Sequence, residues 1–146
     1  MAQLGSTRVY GDLTVTGEVH ADVGGGNFSK LAEVSSIDIT STGTTTLYNV
    51  GSSANVMVFR IDLLCTSASS AQGDAVFSVG TNSSDYDNIQ ASIKTVGLDT
   101  ANEIFSINTE GIHTKAGNSS TITLNVTTAD TGTTNTVTAI LWGYEY

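Results

Sequence analysis

From residue 36 to the C-terminus one pattern recurs: short runs in which apolar and polar side chains alternate, each closed by Gly, Ser, Asn or Asp. A period of two residues puts successive side chains on opposite faces of a pleated strand, so each run needs a second sheet to cover its apolar face. The strongest run, residues 55–65, sets Met57, Phe59, Ile61, Leu63 and Cys65 against Val56, Val58, Arg60, Asp62 and Leu64. With apolar groups on both faces it reads as a central strand. Residues 121–127 turn Ile122, Leu124 and Val126 to one side. Residues 135–144 put Val137, Ala139 and Leu141 on one face and Thr138, Ile140, Trp142 and Tyr144 on the other, so this strand also lies centrally or against a partner subunit. Runs at 36–40, 45–50, 74–79, 91–96 and 103–108 bring the total to about eight short, regularly spaced strands, the pattern of a sandwich. Composition agrees, because Thr (23) and Ser (17) make up 40 of 146 residues, Gly adds 15 and Pro is absent. Thr favours pleated half-buried surfaces, and Gly and Ser favour turns. The expected fold is all-β, a jelly-roll-like β-sandwich of about eight strands with an extended N-terminal β arm.

The arm is residues 1–23. From Arg8 to Val23 the alternation is strict: Val9, Leu13, Val15 and Val19 share one face with Gly11 and Gly17, while Arg8, Tyr10, Asp12 and His20 share the other. A strand this long outside the main domain would leave an unpaired edge in water, so it is expected to pair with other copies or with a different protein. Gly24-Gly25-Gly26 opens a flexible linker, 24–32, with no phosphate-binding spacing around it. The sandwich domain is 33–146.

Charge and residue inventory exclude several functions. Fourteen acidic against five basic residues give a net charge of −9, which cannot build the cationic surface that phosphate binding needs, so nucleic acid is not an expected partner. No apolar run approaches the roughly 20 residues of a membrane-spanning helix, and the first residues lack the basic and apolar regions of a secretory signal. The single Cys65 precludes an intrachain disulfide and reads as a buried, inert thiol. His20 and His113 lack a nucleophile motif around them and read as surface histidines. Two carboxylate pairs, Asp85 with Asp87 and Glu103 with Glu110, lack the aromatic platforms of a sugar-cleaving cleft. Asp85-Tyr86-Asp87-Asn88 offers oxygen ligands but neither the Gly nor the distal Glu of a calcium loop, and reads as a hydrogen-bonded turn. Sequons at Asn27, Asn82, Asn118 and Asn125 are expected by chance in so hydroxyl-rich a chain. No catalytic residue, metal or cofactor is expected.

The segment Gly5-Ser6-Thr7-Arg8-Val9-Tyr10-Gly11-Asp12-Leu13-Thr14-Val15-Thr16-Gly17 resembles a V-Y-G-x-L-T-V-x-G stretch found in virion proteins of tailed bacteriophages. The body is similar to β-sandwich domains of phage fibres and decoration proteins in Thr45-Thr46-Leu47-Tyr48-Asn49-Val50 with Val58-Phe59-Arg60-Ile61, in Val79-Gly80-Thr81-Asn82 with Tyr86-Asp87-Asn88-Ile89, and in Trp142-Gly143-Tyr144-Glu145-Tyr146. It departs from relatives that carry a Pro-Gly turn, having Gly51-Ser52-Ser53-Ala54 instead. The resemblance implies a non-enzymatic virion protein made in the host cytoplasm. Its short arm and single knob suit a capsid decoration or cement protein on the head exterior, forming a homotrimer and contacting the major capsid protein or another virion protein. Arg8, Val9, Tyr10, Leu13, Val15 and Val19 would then make the capsid contact. The alternative is a short fibre or receptor-binding tip that reads a host glycan, with Trp142, Tyr144 and Tyr146 (and Tyr48 and Tyr86) as stacking groups.

Overall fold

The computed structural model describes residues 29–109, 115–117 and 119–146, so the arm, most of the linker, His113 and Glu110 lie outside the described residues. Nine strands are present: β1 (Ser29–Asp38), β2 (Gly43–Asn49), β3 (Val56–Ser69), β4 (Val76–Gly80), β5 (Gln90–Lys94), β6 (Ile104–Asn108), β7 (Lys115–Ala116), β8 (Thr121–Thr128) and β9 (Thr134–Glu145). One sheet runs β1-β9-β3-β6 with β7 on the end of β3, and the other runs β2-β8-β4-β5, all pairs antiparallel. This is the expected β-sandwich. β9 lies between β1 and β3, the central position its two-sided sequence required.

Between the sheets the inward rows meet: Val137, Ala139 and Leu141 of β9, Ile122, Leu124 and Val126 of β8, and Phe77 and Val79 of β4 are all buried. The inward row of β3 is not the one that strict alternation gives. Val56 and Val58 are buried, then Ile61, Leu63 and Cys65, while Met57 and Phe59 turn outward. The phase slips at a β-bulge, where Val58 pairs with Gly143 and Arg60 with Trp142, leaving Phe59 as the extra residue. The bulge exposes the carbonyls of Val58 and Phe59 to the core side. Thr109, just past β6, satisfies both: its hydroxyl lies 2.8 Å from the Val58 carbonyl and 2.9 Å from that of Phe59, and its N–H donates to the Phe59 carbonyl at 3.1 Å. β1 starts at Ser29, earlier than the alternation suggested, so residues 29–32 at the end of the expected linker are strand paired with β9.

A buried carboxylate holds one end of the sandwich. Asp130, after β8, accepts hydrogen bonds from the backbone N–H of Gly132 (2.6 Å), Gly73 (2.8 Å) and Gln72 (3.2 Å), and from Asn135 Nδ2 (3.4 Å). Asn135 also donates to the Leu98 carbonyl at 2.7 Å and accepts from the Cys65 thiol at 3.7 Å. Burial pushes the Asp130 carboxyl up, but the amides of Gly132, Gln72 and Gly73 together outweigh it and hold the group below 3.8. At the opposite end Tyr48 of β2 donates to Glu145 of β9 at 2.6 Å, linking the two sheets. That bond, with burial and the Glu145 charge, pushes the phenol up to about 12.

Asp130→Asn puts an amide against backbone donors, so equilibrium urea unfolding at neutral pH should show a loss of about 2 kcal/mol. Because the native carboxyl lies below its ordinary 3.8, its contribution is complete above that value and is lost as the pH falls through the lower native value. The wild type should therefore lose stability more steeply on acidification below pH 3.8 than Asp130→Asn, and equal acid slopes would contradict this account.

Candidate interaction face

The outer face of the first sheet is built by the same alternation that fills the core. On β9 the residues between the buried ones, Ile140, Trp142 and Tyr144, are half-buried and point away from the second sheet. Pairing sets Ile140 beside Asp62 and Trp142 beside Arg60, and sets Leu64 of β3 beside Ile104 of β6. Ile104 is 64% exposed and Tyr146 46%. The bulge matters here, because it puts Phe59 and Arg60 consecutively on this face. Phe59 packs on Tyr144 with centroids 5.6 Å apart, and Tyr144 packs on Tyr146 at 5.7 Å. The result is an aromatic row at one end of the sheet and an aliphatic group, Leu64, Ile104 and Ile140, toward the other.

Between them sits a polar cluster with Asp62 at its centre. Its Oδ2 accepts from Trp142 Nε1 at 2.8 Å and faces Arg60 Nη2 at 3.1 Å, and its Oδ1 accepts from Ser106 Oγ at 2.6 Å. The Arg60 guanidinium carbon lies 5.4 Å from the Trp142 ring centroid, a cation–π arrangement. Strands β3, β6 and β9 thus fix a planar cation, an indole and a carboxylate in one place, and among the described residues Arg60 Nε is the buried side-chain polar atom left without a hydrogen bond.

Of the residues singled out in the sequence, Trp142, Tyr144 and Tyr146 share this face. Arg8, Val9, Tyr10, Leu13, Val15, Val19 and His20 lie outside the described residues. Tyr48 is at the rim between the sheets, and Tyr86 is on the far side of the molecule, against the second sheet. Cys65 is buried, as the sequence suggested, and burial pushes its thiol up. Glu103 caps its own turn, its Oε2 accepting from the N–H of Asp99 and Thr100, both at 3.0 Å. The 82–88 turn is closed by its own side chains: Asn82 and Asp87 bond each other twice, at 2.8 and 3.0 Å, and Asn88 Oδ1 accepts from the Thr81 N–H at 2.7 Å. Among the described residues no three His, Cys, Asp or Glu side chains gather as a metal site would require. Sequence reasoning missed Arg60, Asp62 and Ser106 as a unit. The signal was present in principle, since Arg60 and Asp62 are charges on a strand otherwise read as core.

No protein-family model matches the chain, and no curated protein matches it. Among solved structures it is similar to a chain of the capsid asymmetric unit of cyanophage Pam1, with 16% identity and a TM-score of 0.40, over 90% of this chain and 93% of that one. It is also similar to a chain of the acidic stable capsid structure of Helicobacter pylori bacteriophage KHP30, with 13% identity and a TM-score of 0.43, over 83% and 98%. Both are distant likenesses of shape.

Asp62→Ala removes the shared acceptor of Trp142, Ser106 and Arg60. Unfolding measurements should show a loss of about 1–3 kcal/mol. Because Trp142 is the only tryptophan, its fluorescence should report the change directly, and an unchanged emission spectrum would contradict the cluster.

Proposed function

We propose that this chain is a non-enzymatic structural protein of a bacteriophage virion, a decoration or cement protein that binds the head exterior as a homotrimer and stabilises it. The observation that carries the reading is the outer face of the first sheet. The sandwich closes a complete core between its sheets, yet Phe59, Leu64, Ile104, Ile140, Tyr144 and Tyr146 form a second apolar surface outside it. Contiguous apolar surface of this kind marks protein–protein contact. The likeness of residues 5–17 to virion segments supports a capsid as the partner. The alternating arm supports β-strand addition, with Arg8, Val9, Tyr10, Leu13, Val15 and Val19 at the contact. A net charge of −9 keeps free copies soluble and off the genome before assembly. The strand order supports a jelly-roll winding, because among the eight main strands every connection except β4–β5 crosses from one sheet to the other.

The fibre-tip alternative would use Trp142, Tyr144 and Tyr146 as sugar platforms. Their packing favours the protein contact instead: Arg60 lies over Trp142, and Tyr144 is held between Phe59 and Tyr146.

The test is co-sedimentation with undecorated capsids of the parent phage. The full chain should pellet with capsids, and a chain lacking residues 1–23 should stay folded by circular dichroism and remain in the supernatant. Undiminished pelleting of the truncated chain would defeat the arm's role. Light scattering of the full chain should give three times the monomer mass, and Ile104→Ser, at an exposed position, should lower that mass with a stability change within about 0.5 kcal/mol.

A further inference from the structure

The outer face of the second sheet is chemically unlike that of the first, and it is not smooth. The loop from Thr81 to Ile89 folds back over β4 and leaves a cleft of about 400 Å³ between itself and β2. Thr121 and Thr123 of β8 form the floor, Thr44 and Thr46 of β2 one wall, Ser83 and Tyr86 the other. Every one of the nine lining residues carries a hydroxyl group, and none carries a charge. We propose that this cleft binds a neutral saccharide.

Three features support this. The first is chemical match. A hydroxyl both donates and accepts, so a wall of hydroxyls can pair with the hydroxyls of a sugar in either sense. The same wall offers no cation for a phosphate or carboxylate and no carboxylate for a metal ion, which leaves an uncharged polyhydroxyl ligand as the class that fits. Tyr86 adds an aromatic ring of the kind that packs against the C–H face of a pyranose. The second is availability. Among the described residues, the hydroxyls of Thr44, Thr46, Ser83, Thr123 and Tyr86 make no hydrogen bond to protein. The third is construction. The loop wall is pinned from within: Ser78 Oγ donates to the Asp85 carbonyl at 3.0 Å, Asn125 Nδ2 lies 3.4 Å from that carbonyl, and Asn82, Asp87 and Asn88 interlock as described above. It lies so close to β4 that a Cβ on Gly80 would be 2.5 Å from both Asn82 Oδ1 and the Tyr86 carbonyl carbon. Tyr86 itself sits at φ 50°, a left-handed conformation rare for an aromatic residue and maintained here by its pinned neighbours. Another concavity of the body is also rich in Ser and Thr, but Ile37, Asp38 and Val126 bring a carboxylate and apolar groups into its lining.

The site lies on the opposite sheet from the apolar face on which the proposed function rests, so it stands or falls independently of that reading. Isotope-labelled full chain is titrated, followed by amide NMR, with glucose, maltose, methyl galactoside and N-acetylglucosamine as neutral probes and glucose 6-phosphate as a charged one. A neutral probe should give saturable shifts at Thr46, Tyr86 and Thr123 in the millimolar range, with glucose 6-phosphate weaker than its neutral counterpart. Thr46→Val keeps a β-branched residue in an exposed strand position, and Tyr86→Phe keeps the ring; each should weaken binding about fivefold by removing one hydroxyl. Tyr86→Asn, which tolerates the backbone angle but removes the ring, should abolish it. Ile104→Ser, on the other sheet, should leave it unchanged. Absence of shifts up to about 100 mM of every neutral probe, shifts centred away from the cleft, or undiminished binding by Thr46→Val and Tyr86→Asn would each overturn the proposal.

Discussion

The carboxylate of Asp130 solves the problem that a crossing topology creates. When nearly every connection passes from one sheet to the other, the chain must leave the hydrogen-bonded ladders at both ends, and the freed backbone groups sit against the core rather than in water. At this end Asp130 accepts from amides of the β3–β4 and β8–β9 connections, and its partner Asn135 takes the carbonyl of Leu98 on the β5–β6 connection. The Asp130 N–H donates in turn to Ile39 on the β1–β2 connection at 2.8 Å. The Asp130 carboxylate thereby joins two crossings directly, and Asn135 and the Asp130 N–H tie in two more. A neutral residue of the same shape could not accept from so many donors, which is why a charge is tolerated at a position only 3% exposed.

With the ends held, the two outer faces are free to differ, and they do. The first sheet carries aromatic and aliphatic side chains around the Arg60–Asp62–Trp142 cluster. The second carries threonines, with Thr44 and Thr46 facing Asn125 and Thr123 across the β2–β8 pair. Both faces come from period-two alternation over one shared core, so outward side chains are less constrained by the core than inward ones. An aromatic row over one sheet and a hydroxyl cleft over the other are therefore properties that a knob of this kind can carry separately.

How far the sequence revealed this depends on where the period was kept. β4, β8 and β9 hold strict alternation, and their inward rows (Phe77 and Val79; Ile122, Leu124 and Val126; Val137, Ala139 and Leu141) could be read directly. β3 could not, because apolar residues occupy both of its faces and a one-residue slip at Phe59 leaves no gap in the pattern; only pairing with Gly143 and Trp142 reveals it. β7 was illegible for a different reason, since two residues are too few to show a period and only Ala116 marks it, by being buried. The start of β1 was hidden because Ser29 and Lys30 pair with β9 through backbone alone. The cleft depends on a loop folding back over β4, an arrangement set by Asn and Asp side chains bonding one another across five to seven residues, and no periodicity records that.

The two faces also differ in how they are supported, and this bears on what each can bind. The outward aromatics of β9 ride on the most fully paired strand of the molecule, flanked by β1 and β3 along its length and closed at its end by reciprocal Asn55–Tyr146 backbone bonds at 3.0 and 2.9 Å. A face held this way loses little freedom on docking, so its buried area is available to stabilise a broad, permanent contact. The wall containing Tyr86 is held by side-chain hydrogen bonds, within its loop and from Ser78 and Asn125 of the sheet, several of them exposed to competing water. Such a wall can adjust by small movements around a polar ligand, at the cost of some affinity, which suits reversible recognition of a small hydroxylated molecule. The two proposed roles, lasting attachment by one sheet and weak sampling of a sugar by the other, accord with how the same sandwich supports its two surfaces.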